Sequence, residues 1–342
     1  MPDAHEGSMV PNGLVAATRE LVYPELVGAD LGCGFSAIRL AGRVEGFGAG
    51  EGEDLLRALG RAVPTIKRPT CLARSWPFFP PASGLSDEAL ARVADRDGVL
   101  EAGTLGCGNH FIELERDEKG RLWLLVHSGS RALGPRILDH HRKMAGFRLP
   151  GRPFSLVLGE AAAQAYLGDA AWALAWAKGN RMALVNLAAD VLEAHFGLEV
   201  EPDSFIDCPH NFLRFERHGG EDLLVHRKSA NSAAEDEPGI IAGSMASGAR
   251  ITRGLGEASS LKSSSHGAGR VLGRAAAAKA ITTTAFVRGL GDLVFDRRHA
   301  AALRDEAPAA YRDLDAVMAA QRELVRTRER LVPILNDKRP GG

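Results

Sequence analysis

The sequence predicts an α+β fold: a single mixed domain, residues 1–342, with central β-sheets flanked by helices. Three observations predict it. Apolar runs of strand length are interleaved with helical segments irregularly, without the strict alternation of a parallel α/β protein. Glycine, at 39 of 342 residues, is clustered between those runs, where turns deliver side chains. The polar motifs with chemical potential run from position 30 to 266, and one cleft in one domain gathers them.

Composition bounds the rest. Hydrophobic residues at 45% and charged residues at 25% are ordinary for a globular chain. A formal net charge of -1 leaves no overall footprint for nucleic acid or anionic membrane, so a polyanion partner needs a local patch. No apolar run reaches the roughly 18 residues that span a bilayer, and Met1 precedes Pro2-Asp3-Ala4-His5 rather than a leader. The expectation is a cytoplasmic protein without a membrane partner. Cys33, Cys71, Cys107 and Cys208 are too scattered for a disulfide framework.

Taken in order, residues 1 to 60 read as short strands joined by Gly and Pro turns. Residues 61–100, polar and carrying Pro77, Pro80 and Pro81, read as a surface excursion. Leu122 to Val126 is a buried strand that delivers the loop His127-Ser128-Gly129-Ser130-Arg131. Glu160 to Phe196 is Ala-rich with Tyr166, Trp172 and Trp176 at helical spacing, predicting two helices or one bent at Gly179-Asn180. Residues 239 to 269 are loop-like with short strands, and Arg270 to Ile281 and Arg312 to Leu331 read as helices. The two tryptophans suit the core better than a base-stacking role, and Arg227-Lys228 suits solvated surface better than a phosphate patch.

Four histidines stand in Gly- or Asn-bearing loops: His110, His127, His210 and His266. Asp30 and Cys33 lie three residues apart in a turn. A carboxylate, a thiolate and several neutral imidazoles suit Mn, Zn or Co, and a thiolate can bridge two ions. His266 differs from the others, because Gly267-Ala268-Gly269 follows it and a helix is expected from Arg270. Glycines admit a phosphate close to the backbone, and a helix N-terminus offers unpaired N–H groups. An imidazole there can attack a nucleotide phosphate, which makes His266 the candidate nucleophile. Arg131, Arg270 and Arg274 lie near these motifs and supply the local cationic patch.

Together these motifs, from Met1-Pro2-Asp3-Ala4-His5 through Gly28-Ala29-Asp30-Leu31-Gly32-Cys33-Gly34 and Gly108-Asn109-His110-Phe111-Ile112-Glu113 to Ser265-His266-Gly267-Ala268-Gly269-Arg270, resemble the RtcB RNA ligase family. Val126-His127, Pro209-His210-Asn211-Phe212, Gly243-Ser244-Met245, the Glu306 to Tyr311 segment and the tail ending near Lys338 continue the match, so it covers nearly the whole chain. The resemblance implies an RtcB-like fold and a GTP- and Mn-dependent ligase. Such an enzyme joins RNA ending in a 3'-phosphate or 2',3'-cyclic phosphate to RNA beginning with a 5'-hydroxyl, through a guanylylated histidine, here in RNA repair. By position, His266 is that histidine, and Asp30, Cys33, His110, His127 and His210 are ligands for two Mn ions. Guanylate contacts fall on Asn109, Glu113, Asn211, Ser244, Met245, Gly267, Ala268, Gly269, Tyr311 and Lys338. Arg131, Arg270 and Arg274 fall at RNA-phosphate positions, with Arg131 also counted beside His266 among the catalytic residues, as is Asp3, an essential acid whose role is open. An archease-type activator is a further implied partner.

This chain departs from the family pattern in beginning at Met-Pro-Asp, in Cys107, in Ala242 and Ala246 around Gly-Ser-Met, and in Ala249, where a serine would contact the nucleotide. Asp337 and Arg339 flank the terminal lysine in place of apolar residues. Two other readings stay open on sequence: a Mn-dependent nucleotide or phosphoester hydrolase, and a non-catalytic RNA-binding relative.

Overall fold

The computed structural model describes residues 1–342 except 43, 45, 49, 71–75, 147–151 and 341–342. Cys71 lies outside the described residues. The architecture is mixed, built on one large antiparallel sheet. Its strands in chain order are β1 (Gly34–Ala41), β2 (Phe111–Asp117), β3 (Leu122–Ser128), β4 (Glu199–Pro209), β5 (Pro238–Ala242), β6 (Ala249–Gly254) and β7 (Val325–Lys338). Their spatial order is β5-β6-β7-β2-β3-β1-β4, with Val294–Phe295 parallel beside β7. β5, at one edge, packs against β4 and β1 from the other end, so the sheet is curled.

Strand periodicity decides what each face carries. On β2, Ile112 and Leu114 join Leu124, Val126 and Leu335 beneath helices Glu51–Ala62 and Ala161–Phe196. Phe111 turns to the concave face with Phe35, Trp123, Leu125 and Ile251, and Glu113 and Glu115, of the same parity, follow it. Two buried carboxylates on an inward face are the first sign that this face carries chemistry rather than packing alone.

The segment Glu160 to Phe196 is one helix, Ala161–Phe196, uninterrupted at Gly179-Asn180. A Cβ at position 179 would lie 3.2 Å from the Phe79 ring, so glycine answers a close contact instead of a break. Tyr166, Trp172 and Trp176 pack in one apolar cluster, and Leu184, Val185 and Leu192 in another. The helix therefore runs buried between two cores and ends at Gly197, whose φ of 64° is the left-handed cap that glycine takes readily.

Other expectations are corrected. Residues 51–62 are helical where strands were expected. Within residues 61–100 most described side chains are exposed or half-buried, while Leu90 and Ala94 are buried and the Trp172 indole donates to Pro81 O at 2.8 Å, which ties this stretch to the long helix. The expected helix Arg312 to Leu331 is a short helix, Leu314–Ala320, followed by β7. Arg326, Arg328 and Arg330 alternate with more buried neighbours, which is the period of a strand. The helix expected from Arg270 spans only Arg274–Ala280. Arg227 is fully buried, its guanidinium paired with Glu216 at 2.6 Å, and Lys228 is buried with Nζ donating to Val10 O at 2.7 Å. Neither belongs to a surface patch.

Candidate active site

The concave side of the curled sheet opens into a cleft of about 1080 Å³. Strand pairing brings its walls together. β1 begins at Gly34, immediately after Cys33, and pairs with β3 and β4, so Cys33, His127 and His210 emerge at one end of three adjacent strands. Gly34 is required there, because a Cβ would meet Cys208 O and Pro209 Cα at 2.6 Å. His110 precedes β2 and completes the row.

Two triads share one thiol. Cys33, His127 and His210 place their ligand atoms within 4.8 Å of one another, and so do Asp30, Cys33 and His110. Cys33 Sγ lies 3.5 Å from His110 Nε2 and 3.4 Å from His127 Nε2. Asp30 Oδ2 is 3.2 Å from His110 Nε2. His110 Nδ1 faces Leu105 O at 3.0 Å and His127 Nδ1 faces Asn109 O at 2.9 Å. A carbonyl only accepts, so both rings carry their proton on Nδ1 and turn Nε2 lone pairs toward Cys33.

A thiol can satisfy one of those lone pairs, and the rest converge without a proton. His210 Nδ1 is also buried without a hydrogen-bond partner among the described residues. Burial and the Asp30 charge push the Cys33 thiol well above its ordinary range. Burial, with His210 and His110 nearby, holds His127 far below the usual imidazole value, and burial does the same to His210. Neutral imidazoles, a shared thiol and a carboxylate form a donor set that fits two borderline-soft divalent cations.

His266 stands across from this row, its ring 4.8 Å from that of His210. Ser263–Ser265 pairs with Ala230–Ser232, and Gly267 bridges to Ala242, so the backbone on both sides of His266 is fixed. His266 Nδ1 donates to Asp3 Oδ2 at 2.7 Å, and the N–H groups of His266 and Gly267 donate to the same oxygen at 3.2 Å. Burial works to raise the Asp3 carboxyl, but these bonds outweigh it and hold it below the ordinary carboxylate value. With its Nδ1 proton committed to Asp3, His266 presents Nε2 as a lone pair. Asp3, whose role is open on sequence, is in direct contact with His266.

The glycine loop differs from expectation. Gly267 N is engaged by Asp3 and Ala268 N donates to Ala242 O at 2.9 Å, so these N–H groups are not spare, and no helix starts behind them. The cationic side chains are arranged around Glu306 instead. This carboxylate meets Lys338 Nζ at 2.9 Å, Tyr311 OH at 2.7 Å, Arg270 Nη1 at 3.4 Å and the Arg274 guanidinium. Burial alone would raise Glu306, yet Lys338 and Arg274 bring it down to about 2. Arg270 also stacks over the Tyr311 ring at 4.8 Å.

Among the sequence candidates, Asp30, Cys33, Asn109, Glu113, His127, Asn211, Ser244, Met245, His266, Gly267, Ala268, Gly269, Arg270, Arg274, Tyr311 and Lys338 line the cleft together with His210. Asp3 and His110 sit buried directly behind that lining. Arg131 does not line it. That residue, at φ 57°, donates to Thr104 Oγ1 at 3.2 Å and Thr65 O at 3.1 Å behind the Asp30 turn. Ala249 does not line it either: it is buried in the concave core, its N–H on Glu115 Oε2 at 3.2 Å, so the missing serine leaves no gap in the cleft wall. The sequence reading missed Glu115, Asn336 and Arg312. The signal for the first two was a polar residue of inward parity on a strand, β2 for Glu115 and β7 for Asn336, the latter readable only once β7 is known to be a strand.

A family model described as tRNA-splicing ligase RtcB matches residues 1–75 and 82–339. The RNA-splicing ligase RtcB of Escherichia coli is 35% identical, over 95% of this chain and 86% of the relative. That of Mycobacterium tuberculosis is 30% identical over 98% and 95%, and the tRNA-splicing ligase RtcB of Archaeoglobus fulgidus 27% over 93% and 82%.

Proposed function

The chain belongs to the RtcB family of RNA ligases, and from that premise we propose that it joins RNA 3'-phosphate or 2',3'-cyclic phosphate ends to 5'-hydroxyl ends with GTP, through GMP carried on His266. The observation that carries the reading is the Asp3–His266 pair at 2.7 Å, aimed across the cleft at two triads that share Cys33. Two divalent cations, Mn by the family resemblance, would be held by Asp30, Cys33 and His110 on one side and by Cys33, His127 and His210 on the other. Bound there, they would neutralise phosphate oxygens.

The protein's own groups do the rest. His266 Nε2 attacks the α-phosphorus of GTP, forming a P–N bond as the P–O bond to pyrophosphate breaks. Asp3 holds the Nδ1 proton and stabilises the positive charge that develops on the ring. The RNA 3'-phosphate then displaces His266, and the 5'-hydroxyl displaces GMP, its proton leaving to solvent. Lys338 and Glu113 flank the position for the base, and Arg270 and Arg274, anchored on Glu306, flank that for RNA phosphate. Among the described residues, no helix is long and apolar enough to cross a membrane.

The test is incubation with Mn and GTP, followed by intact mass and alkaline peptide mapping. One GMP on His266 is expected, lost in His266→Ala and slowed at least roughly 100-fold in Asp3→Asn. Phosphate release without an adduct would replace the ligase reading with the hydrolase one. An adduct seen only after adding an archease-type protein would assign the activator.

A further inference from the structure

Residue 336 lies opposite Glu113 where β7 pairs with β2, two positions before Lys338. Asn336 is 1% exposed and lines the cleft beside Glu113. Its Nδ2 donates to Glu113 Oε1, while its Oδ1 is buried without a hydrogen-bond partner among the described residues. The orientation of the amide follows from the carboxyl pair beneath it. Burial raises both carboxyls, and the Glu113 charge pushes Glu115 further, well above its ordinary value, so of the pair Glu115 is the one that keeps a proton and Glu113 the one that accepts. An ionised carboxylate takes the NH2 end of the amide, which leaves the carbonyl end as an unused acceptor in a water-poor corner.

We propose that Asn336 is a specificity-determining residue for the purine: its Oδ1 and the carboxylate of Glu113 form two adjacent acceptors that match the paired N1–H and 2-amino donors of guanine. The inference rests on the guanylate reading of this cleft. Adenine would turn its N1 lone pair toward the Glu113 charge. Hypoxanthine keeps N1–H but lacks the 2-amino group, so it leaves Asn336 Oδ1 as unmated as in the free protein. Asn336 thus separates guanine from hypoxanthine, while Glu113 separates both from adenine.

The experiment is equilibrium binding of GMP and IMP to the full chain with Mn present, for the wild type, Asn336→Leu and Asn336→Ala. The second variant guards against a packing defect in the first. Wild type is expected to favour GMP by roughly 10- to 100-fold, the penalty for leaving a buried acceptor unmated. In either folded variant the ratio should fall to near 1, through weaker GMP binding with IMP affinity little changed. An unchanged ratio, or a parallel loss for both nucleotides, overturns the role. The GMP adduct on His266 is scored separately. No adduct with a ratio that still responds to Asn336 sinks the ligase chemistry alone, whereas an adduct with an unmoved ratio sinks the Asn336 role alone. A wild type that binds neither nucleotide sinks both.

Discussion

Arg181→Met tests whether the loops that carry the candidate metal ligands are held from behind. Arg181 is fully buried in the long helix. Its Nε and Nη2 meet Asp207 at 2.7 and 2.9 Å, and its Nη1 donates to Gly32 O at 2.6 Å and Ser128 O at 3.0 Å. Gly32 precedes Cys33, Ser128 follows His127, and Asp207 lies three residues before His210, so one guanidinium ties together the three segments of one triad. Removing one partner of a buried ion pair costs about 3–5 kcal/mol. Each carbonyl left unpaired adds about 1–3 kcal/mol. Protonation of Asp207 offsets part of this, so about 4–6 kcal/mol is expected at pH 7.5, a large share of the roughly 5–15 kcal/mol that holds a domain folded.

Urea unfolding followed by fluorescence of the buried Trp123, Trp172 and Trp176 measures the loss. The sign of its pH dependence is a second check. Burial works to raise Asp207, but Arg181 holds it below the ordinary carboxylate value, so in the wild type the stability it contributes is present above about pH 4 and lost as pH falls through the depressed value. Without Arg181, burial dominates and the Asp207 value rises, so the deficit of the variant shrinks from pH 7.5 toward pH 5. Arg181→Met with Asp207→Leu should recover most of the loss, since the stranded charge is gone. A deficit below about 1 kcal/mol, too small for a buried carboxylate stripped of its partner, or one equal at both pH values, would refute the reasoning.

Three further predictions concern stability. Gly168 is an exposed position within the long helix where an added Cβ meets nothing within 4 Å, so Gly168→Ala should stabilise by about 0.5–1 kcal/mol, raising the thermal midpoint. The same change at Gly32, at φ 72° and with Ala177 Cβ and Leu174 Cα at 2.9 Å from the new atom, should lower it and weaken Mn binding by moving Cys33, as calorimetry would show. Burial pushes His226 down to about 4, with its Nε2 accepting from Tyr23 N at 3.1 Å. The unfolded chain binds a proton here that the folded chain refuses, so this histidine makes stability fall as pH drops from about 6.5 toward 4. His226→Gln keeps the acceptor and should flatten the slope between pH 6 and 5 by up to about 1.4 kcal/mol per unit in denaturant titrations; an unchanged slope would rule this out.

The local sequence by itself determined most of the candidate set that the fold brings together. Asp30, Cys33, His110, His127, His210 and His266 were legible because glycine, proline and asparagine around a polar residue mark turns at strand ends, and turns depend on neighbours in the chain. The strand Leu122 to Val126 was legible for a similar reason, being apolar on both faces. Only tertiary structure decided the rest. Arg326 to Arg330 read as a charged helix until pairing with β6 imposed a period of two, and the same strand's pairing with β2 from Leu331 onward set the inward direction of Asn336 and Lys338. Gly179-Asn180 read as a break because the Phe79 ring that needs the glycine lies 100 residues away in the chain. The partners of Arg131, Arg270 and Arg274 were equally hidden: a guanidinium shows its charge in the sequence, but whether a carboxylate such as Glu306 already holds it is settled by burial and distance, which no local pattern encodes.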